Sequence, residues 1–161
     1  MQRSSVVDPH HFVTPQRFDI AVKVLVFEHM KHGLDDPRVW KLYRRHVETR
    51  TGGREKRSWK ASPADYADAA GRLFASMRAQ GFDPAHPIVL GDNLNLRGGA
   101  HRIACALVLD QPVHVRMADK PGNAAPWDAA FMRRAGMSED ELAPAYVSFG
   151  RLVHAARVRL G

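Results

Sequence analysis

Apolar residues in this chain recur at helical spacing in some stretches and alternate in others, so both helices and strands are expected. Ile20, Val24 and Phe27 lie one helical turn apart behind Asp19, whose carboxylate suits a helix N-cap, and Gly33 supplies the stop. Asp36 and Pro37 open a second helix with Trp40, Tyr43 and Val47 on one stripe, and the two predict a helical hairpin. Ser62, Pro63 and Asp65 start a third, whose apolar face is Tyr66, Ala70, Leu73 and Met77 and whose end is Gly81. The run Pro87-Ile88-Val89-Leu90 and the alternating Asn93-Leu94-Asn95-Leu96 flank the turn pair Gly91-Asp92, which predicts two short strands in a hairpin. Ile103, Ala106 and Leu107 return to helical spacing, and Val113, Val115 and Met117 to alternation. Pro126 begins a further helix through Trp127, Phe131 and Arg134 to Gly136. Ser138 with Glu141 forms a capping box for the next, and the tail from Pro144 carries Phe149, Leu152, Val153, Ala156 and Leu160.

The pattern defines an α+β domain with a small mixed sheet and helices around it. At 161 residues, with 45% hydrophobic and 25% charged positions, the chain has the composition of one globular domain and excludes a disordered or fibrous protein. No apolar run reaches the roughly 18 residues of a membrane span, and MQRSSVVDPHHF lacks an apolar signal core, so a cytoplasmic protein without membrane association is expected. Cys105 is the only cysteine, which excludes an intrachain disulfide and a cysteine-cluster zinc site. His29 and His32 sit three apart without further ligands at fixed spacing, and His10-His11 lies in an expected flexible arm, so no metal site is assigned.

Charge adds a preference for anionic partners. The net charge is +7, with 18 Arg against 6 Lys, which favours nucleic acid, nucleotides or phosphorylated metabolites. Residues 50–60, RTGGREKRSWK, hold two glycines and five positive charges without apolar periodicity and read as a surface loop, a candidate lid.

One stretch carries chemistry. Arg97-Gly98-Gly99-Ala100-His101-Arg102 stands between a short strand and a helix. Two glycines permit positive φ and close backbone approach, and the helix start offers unpaired N–H groups, so the turn has the make-up of an anion cradle. Cations at a helix N-terminus are unfavourable unless an anion joins them, which makes Arg102 a candidate phosphate fork. A tight turn whose His101 and Arg102 pair with an acidic neighbour is the alternative.

Pro87-Ile88-Val89-Leu90, then Gly98-Gly99-Ala100-His101-Arg102-Ile103-Ala104-Cys105-Ala106, then Pro112-Val113-His114-Val115 resembles the ParB/sulfiredoxin superfamily, in which a strand, a glycine-His-Arg turn, an alanine-rich helix and a closing strand follow one another. The likeness is close over residues 80–117, and Arg17-Phe18-Asp19-Ile20 with Lys23 extends it to 15–117. It implies a single domain over 1–161 with a helical insertion at 34–80 and a helical extension at 121–161. It further implies that Gly98, Gly99, Ala100, His101 and Arg102 hold the phosphates of ATP or CTP. Sulfiredoxin chemistry does not carry over, because Ala100 stands where that branch has its nucleophilic cysteine. Relative to the serine-kinase branch, Gly98 replaces an aspartate and Ala100 a histidine; relative to the chromosome-partitioning branch, Ala100 and His101 depart from its Gly-Glu-Arg-Arg turn.

The function expected is ATP-dependent phosphoryl transfer to a small hydroxylated metabolite, with Mg2+. Phosphoryl transfer needs phosphate positioning, charge neutralisation and a proton acceptor for the attacking hydroxyl. Lys23 and Arg17 are candidates for neutralisation, and Asp19 or Glu28 for base or Mg2+ ligand. Set against these are a helix-capping Asp19, a solvated Lys23 and a surface Arg17. The rivals are a ParB-like module that binds DNA or CTP and an inert binding protein. Phe131 to Glu139 has the form of a helix-turn-helix corner, but Glu139, Asp140 and Glu141 at the second helix start oppose a phosphate backbone.

Overall fold

The computed structural model describes residues 4–51, 60, 62–123 and 127–161. The expected lid at 50–60 lies mostly outside these, as does Pro126. In chain order the elements are β1 (Ser5–Val7), α1 (Asp19–His32), α2 (Pro37–Thr51), α3 (Pro63–Gln80), β2 (Ile88–Leu90), α4 (Ala100–Leu109), β3 (Val113–Met117), α5 (Ala129–Arg134) and α6 (Glu139–Leu160), with 3-10 turns at Pro9–Phe12 and Pro15–Arg17. The architecture is a mixed α+β fold, with six helices around a three-stranded sheet among the described residues.

The sheet order is β1-β3-β2. β3 occupies the centre, antiparallel to β1 with Ser5 opposite Val115, and parallel to β2 with Ile88 opposite Val115. Parallel β2 and β3 need a crossover, and α4 supplies it. The turn of residues 97–99 is thereby fixed at the C-terminal edge of β2.

α1 organises the interior. Every residue from Asp19 to Phe27 is buried, and a helix apolar on all sides belongs between two packed layers. Ile20, Val24 and Phe27 face α4, α3 and the sheet, with Ile103, Phe74 and Ile88 as partners. Val22, Leu25 and Val26 face Leu42 and Tyr43 of α2, Met132 of α5 and Leu142 and Ala145 of α6. The sequence pattern exposes only the first of these two faces.

The helix signals stand where the residues placed them, with exceptions. Ser62 with Asp65 and Ser138 with Glu141 form capping boxes, and Gly33, in the left-handed region, ends α1. Asp19 does not cap. Phe18 holds the cap position without a side-chain bond, and the Asp19 carboxylate turns to Arg17 and Lys23. α5 starts at Ala129 behind Asp128, whose carboxylate accepts from the Phe131 N–H. The tail from Pro144 is no separate element, because α6 runs from Glu139 through Pro144 to Leu160.

The second arm of the hairpin shrinks to one bridge, Leu96 to Leu90. Leu94 takes a left-handed conformation, φ 63°, which breaks the alternation. The Leu96 carbonyl accepts from Asn123 N–H at 3.0 Å and the Asn93 side chain from Gly122 N–H at 2.8 Å, so residues 122–123 partner this arm. The N-terminal arm is likewise ordered: β1 pairs with β3, and His10, 8% exposed, receives Asp8 against both its N–H and its ring. Three residues are too few to register as alternation in the sequence. Among the described residues no helix is long and apolar enough to cross a membrane.

Candidate anion-binding site

Between the turn of residues 96–102 and the neighbouring ends of α2 and α3 lies a cleft of about 410 Å³. Gly99 shapes one wall. Its φ is +98°, and a Cβ there would stand 2.6 Å from Ile88 Cδ1, so only glycine lets the chain turn this tightly over β2. It is also the N-cap of α4 with no side chain to cap the helix, which leaves the first N–H groups of α4 without such a cap. Gly98 and Ala100 line the same wall, and a Cβ at Gly98 would meet nothing within 4 Å.

Cations surround this turn. Arg17, Arg50, Lys60, Arg97 and Arg102 all line the cleft, and no carboxylate joins them among the described lining residues. Arg50 stacks over Trp127, 5.6 Å from the ring centre, and Lys60 over Tyr66 at 4.8 Å, so two aromatic faces hold two of the cations. One Arg102 nitrogen donates to the His86 carbonyl, and its guanidinium lies 6.0 Å from the Phe82 ring centre. These contacts anchor Arg102 beside the turn, and the Asp83 carboxylate acts on it electrostatically.

His101 lines the cleft with Nε2 2.9 Å from the Tyr43 hydroxyl, which itself donates toward the Tyr66 carbonyl at 3.3 Å. Burial, reinforced by Lys23, Arg50 and Lys60, holds the imidazole well below the usual histidine range and keeps it neutral.

Behind the cleft is a buried ionic cluster. Asp19 and Lys23 are 0% exposed and meet at 2.6 Å, Arg17 reaches the same carboxylate oxygen at 2.8 Å, and His46 Nε2 lies 3.2 Å from Lys23 Nζ. Lys23 is therefore a buried residue and not a solvated one. Burial lowers the Lys23 ammonium, and Asp19 only partly offsets it. Burial works to raise the Asp19 carboxyl, yet Lys23 and Arg17 outweigh it and hold the group below the ordinary carboxylate range. His46 is pushed down by burial and then by Lys23.

The structure thus brings Gly98, Gly99, Ala100, His101, Arg102 and Arg17 to one cleft. Lys23 and Asp19 stand one layer behind it, linked through Arg17. Glu28 is not drawn in: its carboxylate meets Arg151 of α6 at 3.0 Å. His29 Nδ1 bonds its own helix at the Leu25 carbonyl, 2.8 Å away. Among the described residues no group of three or more His, Cys, Asp or Glu can hold a metal ion and no carboxylate lines the cleft, so the described residues do not fit a protein-held Mg2+. At the α5–α6 corner Glu139 pairs with Arg133 and Glu141 with Arg45.

The sequence alone does not mark Arg50, Lys60, Tyr66 and Trp127 as site residues. Arg50 and Lys60 bound the basic stretch 50–60, whose charge is a usable signal. Tyr66 and Trp127 have the pattern of apolar helix positions, and nothing local separates them from core residues. Comparison with family models, with curated proteins and with solved structures finds no match to this chain.

Proposed function

We propose that the protein is a cytoplasmic ATP-dependent phosphotransferase of ParB/sulfiredoxin-like fold, acting on a small hydroxylated metabolite and holding the triphosphate at residues 98–102. The observation that carries this reading is a cleft lined by Arg17, Arg50, Lys60, Arg97 and Arg102 with no acidic residue on its described wall. Arg17 shares the Asp19 carboxylate with Lys23, and four further cations line a wall without a described carboxylate, where a polyanion lowers their mutual repulsion. The uncapped α4 N-terminus adds backbone donors and the positive end of a helix dipole.

In this reading the phosphates lie against Gly99 to Arg102, with Arg102 and Arg17 spreading the charge that grows on the phosphoryl oxygens. The acceptor hydroxyl oxygen bonds to the γ-phosphorus as the bond to the bridging oxygen breaks, and ADP leaves. The hydroxyl proton passes to an oxygen of the transferred phosphoryl group, because His101, held well below the usual histidine range among cations, stays neutral. Asp19, one layer back, acts through Arg17 and Lys23 as a positioning residue. No step is assigned to Mg2+.

ATP is expected to raise the melting temperature, and Arg102→Ala to abolish the shift. Absence of a shift with ATP, ADP and CTP rejects the proposal. The lack of a carboxylate on the described wall favours a second reading, nucleotide binding without turnover. Phosphate transfer from ATP into a pool of hydroxylated metabolites distinguishes the two.

A further inference from the structure

Tyr66 stands in the first turns of α3, fixed by the capping box of Ser62 and Asp65. It is 2% exposed, it lines the cleft, and among the described residues its hydroxyl has no hydrogen-bond partner. Its other groups are engaged: the carbonyl accepts from Tyr43, and the ring lies under Lys60. Nearby on the wall are Ala69, Ala70 and Leu73, whose side chains have no acceptor to give. A ring needed only for packing would be served by phenylalanine, and an unpaired buried hydroxyl is destabilising. From another segment of the chain, Arg17 brings a second such donor to the same cleft, since its Nε is also buried and unpartnered. Each is an unsatisfied donor at a cleft lined with cations, and an oxygen acceptor with negative charge is the partner that suits such a donor there.

We propose that Tyr66 is a ligand-contacting residue that selects for a polyphosphate, its hydroxyl donating to a phosphate oxygen that enters the cleft. This rests on the anion-binding reading above and assigns to α3, an element outside the glycine turn, part of the recognition. It also explains why the hydroxyl is kept where the protein alone does not use it.

Tyr66→Phe separates a ligand role from a structural one, because the two predict opposite effects on the empty protein. With the ligand role, the melting temperature without ligand stays level or rises, while affinity for inorganic tripolyphosphate and for ATP falls about ten- to a hundred-fold, the range for a hydrogen bond to a charged group. Titration calorimetry with both probes reads the affinity. Unchanged affinity in Tyr66→Phe, with the wild type binding normally, overturns the role of Tyr66 and leaves the anion site standing. A lower melting temperature of the empty variant also overturns it, since the hydroxyl then has a use within the fold. If the wild-type protein binds neither probe, the anion-binding reading falls first and this role falls with it.

Discussion

Asp19 and Lys23 show how one residue's partners decide its part in the molecule. As a pair they are wholly buried and joined at 2.6 Å, and removal of Asp19 leaves both Lys23 and Arg17 without the carboxylate they share. Asp19→Asn is expected to destabilise the fold by about 3 kcal/mol in urea denaturation at neutral pH, and adding Lys23→Met to recover most of that loss. Gly99→Ala faces both a positive φ and an approach of 2.6 Å to Ile88, so it is expected to cost about 1–3 kcal/mol and to weaken ATP binding. Gly98→Ala, with open space about the new methyl, should leave stability within about 0.5 kcal/mol. The same denaturation series checks both. Cys105 is buried, and burial pushes its thiol up to about 12, so it lacks the thiolate character of a reactive cysteine. Thiol reagents are expected to label it only as the protein unfolds.

At the scale of elements, α2 and α4 each bury a neutral imidazole beside the ionic cluster, His46 and His101. Both sit below their unfolded value of 6.5, so the unfolded chain binds protons more readily than the folded one as the pH falls. Their contribution is present above pH 6.5 and is lost as the pH falls below it. Thermal melts between pH 7.5 and 5 are expected to show falling stability, with a shallower slope in His46→Gln; a flat profile counts against neutral buried histidines. α3 illustrates what local chemistry settles unaided. Ser62 accepts from the Asp65 N–H and Asp65 from the Ser62 N–H, a reciprocal bond between residues three apart that a reader of the chain can place. β1 is the contrary case, because three residues make a strand only when β3 lies beside them.

For the whole molecule, the excess positive charge gains meaning through where it gathers. Five of the 24 cationic residues meet in one cleft although they come from three separate stretches, residue 17, residues 50–60 and residues 97–102. ATP affinity measured across salt concentrations is expected to fall as salt rises, and less steeply in Arg50→Ala, because exposed charge contributions are screened. Residue order alone determined the class of fold, the capped ends of α3 and α6, the stop of α1 and the glycine turn with His101 and Arg102, since each depends on neighbours a few positions away. The folded chain decided that Asp19 faces Lys23 instead of capping a helix, that Glu28 points to Arg151, and that Tyr66 and Trp127 hold cations in the cleft. Those outcomes depend on which distant surfaces meet when both faces of α1 are buried, and packing of that kind leaves no periodic mark along a sequence.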